Sequence, residues 1–276
     1  MAGKSGSPGR RRKPRGQGVK SEHRNSGDKE ILYGYHSVFE ALKAGRRKFE
    51  SIMVYENRSD KRLQAVADLA GEKQVPVQTL SGEELDRLAG FGRHQGIAAR
   101  VSSFPVQSVS ALLKLIEGRT EPFFILILES IEDPQNTGAL IRTALCAGVD
   151  YIVMPKDRCA LPSAGVSRSS AGAMEHAPIF LATNLSILIH DLKKYGAWVS
   201  GLDAGADKGL FDADLTGNLA LVVGGEHTGL RPGVRKACDF ILSIPMETRI
   251  TSLNASVAGG IAMFEARRQR LGINFG

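Results

Sequence analysis

Phe123-Phe124-Ile125-Leu126-Ile127-Leu128 is an apolar run without polar alternation, the pattern of a β-strand buried on both faces. It passes into Glu129-Ser130-Ile131-Glu132-Asp133-Pro134-Gln135-Asn136-Thr137-Gly138 and then into a helical pattern carrying Arg142. A strand covered on both faces calls for helices on either side. Further strands are expected at Tyr151 to Met154, Ala197 to Leu202, Leu219 to Val223 and Phe240 to Ile244, with helical patterns between them. The C-terminal half therefore reads as an α/β parallel sheet.

Two further stretches share this strand-into-loop character. Leu219 to Leu230 (LALVVGGEHTGL) places Gly224 and Gly225 where a strand ends, so backbone can approach a flat ligand closely. Ile244-Pro245-Met246 is followed by Ser252-Leu253-Asn254-Ala255-Ser256-Val257-Ala258 and a helical pattern with Val257, Ile261 and Phe264 on one stripe. Ser252 and Asn254 are residue types that cap helices, and they are equally suited to holding a ligand where backbone groups are left open. If the helix after Gly138 starts near Asn136, Arg142 lies within two turns of it in the N-terminal half, an arrangement suited to a phosphate or to an ordinary cap with a surface arginine.

Ahead of this lies a smaller α/β region. Strand signals at Ile31 to Tyr33, Ser51 to Val54, Val75 to Thr79 and Gly96 to Val101 alternate with helices, two of them opened by the capping-box patterns Ser37 to Glu40 and Ser81 to Glu84. The loop Phe91 to Gly96 offers Arg93 and His94 to a partner or to solvent. The expected division is a tail over 1–28, a small domain over 29–104, a junction with an amphipathic helix over 105–121, and a second domain over 122–276.

The 276-residue chain has a net charge of +7. Residues 1–28 hold eight Lys and Arg against Glu22 and Asp28, so the tail carries +6 and the remainder is nearly neutral. With Gly, Ser and Pro between its charges, the tail is expected to be disordered and to contact nucleic-acid phosphates, a solubilising or targeting segment being the alternative. It lacks the apolar core of a secretory signal, and no later run is long enough for a membrane span. Cys146, Cys159 and Cys238 are scattered and odd in number, so neither a disulfide framework nor a metal site is expected, and a reducing cytoplasm suits them. Cys146, among Ala144, Leu145 and Ala147, reads as a small buried hydrophobe. The dinucleotide fingerprint, the P-loop, the H-E-x-x-H zinc motif and the G-x-S-x-G elbow are all missing, which weighs against dehydrogenase, kinase, zinc protease and serine hydrolase.

Asn136-x-Gly138-x-x-x-Arg142, Gly224-Gly225-Glu226-x-x-Gly229, and Ile244-Pro245-Met246 with Ser252-Leu253-Asn254-x-Ser256-x-Ala258 resemble, in order, the three motifs of the SpoU/TrmH family of RNA ribose 2′-O-methyltransferases. The resemblance implies a trefoil-knotted, SPOUT-type methyltransferase domain, S-adenosylmethionine as cofactor and a homodimer. It also implies that the small domain is an L30e-like RNA substrate-binding domain, with Arg93, His94 and Arg142 meeting RNA. Gly224, Gly225, Ile244, Met246 and Leu253 would hold the cofactor. Asn136, Arg142, Glu226, Ser252 and Asn254 would surround the reacting ribose. Asp157-Arg158, Ser169 to His176 and His94-Gln95-Gly96 further resemble the subgroup that methylates a guanosine of 23S ribosomal RNA. A transfer RNA methyltransferase and a non-catalytic RNA-binding protein on the same fold are the alternatives.

Overall fold

The computed structural model describes residues 29–56, 61–90, 94–226, 228–247 and 252–273. The basic tail expected over 1–28 lies outside the described residues. In chain order the first part holds β1 (Lys29–Tyr33), α1 (Tyr35–Ala44), β2 (Phe49–Tyr55), α2 (Lys61–Glu72), β3 (Val77–Leu80), α3 (Gly82–Ala89) and β4 (Ile97–Ser102). Its four strands pair in the order β1-β4-β2-β3, antiparallel except for β2 with β3. Leu32, Val38, Leu42, Ile52, Val66 and Ile97 close a core of their own beneath this sheet.

The second part continues with β5 (Gln107–Ser108), α4 (Val109–Ile116), β6 (Phe124–Glu129), α5 (Pro134–Ala147), β7 (Tyr151–Pro155), α6 (Ala164–Ser169), β8 (Ile179–Ala182) and α7 (Leu185–Lys194). It ends with β9 (Trp198–Leu202), β10 (Lys208–Gly209), β11 (Leu219–Gly224), α8 (Pro232–Ala237), β12 (Phe240–Ser243) and α9 (Ala255–Arg270). Eight strands form one parallel sheet in the order β10-β12-β9-β11-β6-β7-β8-β5. Every residue of β6 is buried, and its side chains alternate between two apolar layers. Phe124, Leu126 and Leu128 face α5 and α9, while Ile125 and Ile127 face the α4 and α7 side. The segment 105–121, expected as a junction, is built into this part: β5 extends the sheet edge beside β8, and α4 packs through Leu112 and Ile116.

Several local expectations change. Ser37 does not open a capping box, because α1 already starts at Tyr35 behind Gly34, whose φ of 88° turns the chain, and Ser37 is buried inside the helix. Ser81 and Glu84 do form the reciprocal box at α3. The helix expected near Asn136 begins at Pro134, since Asp133 accepts the N–H groups of Gln135 and Asn136. Cys146 is exposed rather than buried, because Ala144 and Ala147 take the inward positions on that turn of α5. The other two thiols are held in the protonated form, burial pushing Cys159 up to about 12 and Cys238 up to about 11. Among the described residues no cluster could hold a metal ion, and no helix is long and apolar enough to cross a membrane.

Candidate active site

The carboxyl ends of β9, β11, β12 and β6 lie side by side, and the loops that leave them build two adjoining cavities. The first, of about 240 Å³, is lined by Leu202, Val223, Leu242, Ile244 and Leu253, with Gly224 and Gly225 and the polar or flexible side chains of Asp203, Met246 and Ser252. The second, of about 490 Å³, is lined by Ser130 to Pro134, Asn136 and Thr228. Gly225, Glu226 and Ala255 belong to both, so they form the partition where two ligands would meet.

Three side chains are joined at that partition. Asn136 Nδ2 donates to Glu226 Oε1 at 3.0 Å, and Asn254 Nδ2 donates to Asn136 Oδ1 at 2.9 Å and also to Glu226 Oε1. The other half of the Asn254 amide caps α9, its Oδ1 accepting Ser256 N at 2.9 Å and Val257 N at 3.2 Å. Capping and ligand holding are competing readings of Asn254 in the sequence, and one side chain caps the helix while building the cluster. Among the described residues Glu226 Oε2 has no hydrogen bond.

The loops themselves are tightly held. A Cβ at Gly224 would lie 2.5 Å from the Gly229 carbonyl carbon, and one at Gly225 would overlap the Ser130 carbonyl oxygen. Beneath them Glu129, fully buried at the end of β6, receives a two-pronged contact from Arg231 just beyond the glycine loop, with Nη2 to Oε2 at 3.0 Å. That hydrogen bonding raises the Arg231 pKa. The pair ties the loop after β6 to the loop after β11.

Of the residues singled out in the sequence, Gly224, Gly225, Glu226, Ile244, Met246, Ser252 and Leu253 line the first cavity, and Asn136 and Glu226 line the second. Arg142 is not among them. It stands exposed in the second half of α5, because the helix starts two residues before Asn136 and the six-residue spacing turns it about 120° away. Among the described residues it has no hydrogen-bond or ion-pair partner. His94 belongs to the other sheet, its ring accepting Gly96 N at 3.1 Å and facing Asp86 at 3.2 Å. Arg93 lies outside the described residues. Sequence reasoning missed Leu202, Asp203 and Leu242. Their signal was available, since a residue at the carboxyl end of a parallel strand is a standing candidate for ligand contact.

Comparisons with known proteins agree with this geometry. A model described as SpoU rRNA Methylase family matches residues 123–264, and one described as RNA 2'-O ribose methyltransferase substrate binding matches residues 31–107. The 23S rRNA (guanosine-2'-O-)-methyltransferase RlmB of Xanthomonas axonopodis pv. citri is 38% identical over 241 residues, covering 87% of this chain and 97% of the relative. The putative TrmH family tRNA/rRNA methyltransferase YacO of Bacillus subtilis is 37% identical over 241 residues, covering 87% and 96%. Among solved structures, the SpoU methyltransferase AviRb from Streptomyces viridochromogenes in complex with AdoMet shares the fold, with a TM-score of 0.73 at 21% identity over 88% of this chain and 91% of that one.

Proposed function

The chain belongs to the SpoU rRNA methylase family, and from that membership we propose that it transfers a methyl group from S-adenosylmethionine to the ribose 2′-hydroxyl of a guanosine in 23S ribosomal RNA. The observation that carries the reading is the Asn136–Glu226–Asn254 cluster on the wall between the two cavities. The first cavity fits the cofactor: apolar side chains and bare glycine backbone suit a flat purine and a thioether chain, and the Asp203 and Glu226 carboxylates suit a cation. When bound, adenosylmethionine supplies an electrophilic methyl on a sulfonium and departs as a neutral thioether.

The chain's own groups then have defined tasks. Asn136 and Asn254 hold Glu226 through Oε1, leaving Oε2 to accept the proton released by the ribose hydroxyl. Arg142 offers a planar guanidinium suited to clamping a phosphate beside the ribose, and since it lines neither cavity of its own chain it would do so across the homodimer. Ser252 lines the cofactor cavity. The four-stranded sheet with its His94 loop binds the RNA, and the basic tail adds phosphate contacts. A cytoplasmic location belongs to the same reading.

The working unit is a homodimer. On α9 Ala255, Gly259, Ala262, Met263 and Ala266 turn inward, Val257 and Phe264 are 48% and 50% exposed, and Ile261, expected on the same stripe, is partly buried against the core. These two exposed apolar side chains, on a helix that packs against α5, offer a surface suited to a second copy. A trefoil-knotted methyltransferase domain is part of the same reading.

The test is to incubate the purified protein with adenosylmethionine carrying a labelled methyl and with unmodified 23S rRNA, then map the label. Label on one ribose, protecting the adjoining bond from alkali, is expected. A parallel transfer RNA arm is warranted by the B. subtilis relative's tRNA/rRNA name. Label on a base, or none on either RNA, would overturn the assignment.

A further inference from the structure

The two sheets are joined by a buried ionic hub that none of the site chemistry uses. Arg47, in the turn between α1 and β2, has a side chain with no exposed surface. Its Nε and Nη2 donate to the two carboxylate oxygens of Glu175 at 2.7 and 3.0 Å, and its Nη1 donates to Glu30 and to the Ser102 carbonyl. Glu175, itself fully buried, also receives Ser167 Oγ at 2.8 Å. The second oxygen of Glu30 accepts the first backbone N–H of α6, at Ala164. Burial opposes the Arg47 charge, and the two carboxylates outweigh it, so its pKa is raised.

Around the hub the contact is close and varied. Arg46 donates to the Ala177 carbonyl at 2.6 Å and lies over the Phe104 ring, His176 meets Glu40 at 2.8 Å, and Arg168 lies over Tyr33. Gly172, with φ 80°, brings the chain so near α1 that a Cβ there would sit 2.5 Å from the His36 carbonyl oxygen. The grip is therefore made by α1, β1 and the α1–β2 turn on one side and by residues 163–177 on the other.

Those same residues also press on the helix bearing Asn136. Ser169 Oγ donates to the Pro134 carbonyl at 2.6 Å, and a Cβ at Gly138 would lie 2.7 Å from Ser170 N. At the far end α1 begins beside the RNA-facing loop, with Tyr35 N donating to Gln95 Oε1 at 3.0 Å. A continuous run of contacts thus leads from the 94–96 loop through α1, Gly172 and α6 to the first turn of α5.

We propose that Arg47 and Glu175 are a positioning pair that fixes the reach between the RNA-binding sheet and the methyl-transfer site, and thereby selects which ribose is modified. An RNA held on one sheet can present only those riboses that lie at the set offset from Asn136. Removing the pair leaves both sites intact and loosens the ruler between them. The RNA consequence rests on the methyl-transfer reading, whereas the docking itself does not.

The test uses the full chain with Arg47→Lys, which keeps the charge but cannot form the two-pronged contact, and with Arg46→Ala, which removes a docking interaction and leaves no buried charge unpaired. X-ray scattering in solution reports the docking, calorimetric titration the adenosylmethionine affinity, and ribose-methylation mapping of 23S rRNA the choice of site. Expected are a larger radius of gyration, unchanged cofactor affinity, kcat/KM on rRNA reduced about tenfold to a hundredfold, and methyls spread over neighbouring riboses. Scattering and methylation patterns like the parent's in folded variants would overturn the proposal. So would loss of cofactor affinity in both, since the pair would then be supporting the pocket. If the parent protein methylates no RNA, the function fails while scattering still judges the docking.

Discussion

Asn254 Nδ2 lies 2.9 Å from Asn136 Oδ1, joining two residues 118 positions apart at the point where the two cavities meet. The contact brings the start of α9 against the first turn of α5, and Glu226 closes it from the loop after β11.

Because Asn254 caps α9 through one half of its amide and builds the cluster through the other, the two roles separate by substitution. Asn254→Asp keeps the capping oxygen and sets a second carboxylate against Glu226, so methyl transfer should be lost with little change in melting temperature. Asn254→Ala should lose activity and also about 1 kcal/mol of stability. Thermal melts beside single-turnover assays distinguish the two. A fully active Asn254→Asp would remove the residue from the site.

Arg142→Ala should leave stability within about 0.5 kcal/mol of the parent, since the side chain is exposed on α5. Methyl transfer should nevertheless fall by about a hundredfold or more if Arg142, which lines neither cavity of its own chain, is lent across the homodimer to the second copy's ribose site. Parent-like turnover in the purified variant would show that Arg142 only solubilises the helix.

Phe264→Asp places a charge on the exposed side of α9. Sedimentation should show monomers where the parent gives dimers, with circular dichroism unchanged because the inward face of the helix is untouched. A parent that sediments as a monomer at working concentrations would refute the homodimer.

Deleting residues 1–28 removes +6 of charge. RNA affinity should fall and its log–log salt dependence flatten, by about 0.7 to 0.9 for each phosphate that the arm no longer neutralises. Turnover at saturating RNA should persist. An unchanged salt slope would show that the arm does not touch the phosphates.

The fold was largely legible where a short local pattern decides it. The unalternating run at 123–128, the strand signals at 151–154, 197–202 and 219–223, and the Ser81–Glu84 box each carry their own physical signature. Where two signals competed, the stronger backbone constraint prevailed: Gly34 started α1 early and overrode Ser37, and Asp133 with Pro134 started α5 ahead of Asn136. Ile179–Ala182, as long as the run at 151–154, has no counterpart among the sequence expectations, being set close between the turn at 173–176 and the helix that Asn184 caps. The Arg47–Glu175 hub had no local signal at all, since its partners are 128 residues apart and the chain topology alone brings them together.

The contact between Gly225 and the Ser130 carbonyl bears on how such a site can diversify. Ser130 is itself a non-glycine residue in a left-handed conformation, with φ 57°, so its carbonyl direction is set by an uncommon backbone state. A side chain at 225 is admissible only if that backbone turns away, and relaxing Ser130 changes the floor on which Gly225 rests. A single substitution at 225 is therefore opposed by Ser130, and lineages that remodel this wall should carry paired changes at 130 and 225. Drift in ligand preference along this wall proceeds in coupled steps.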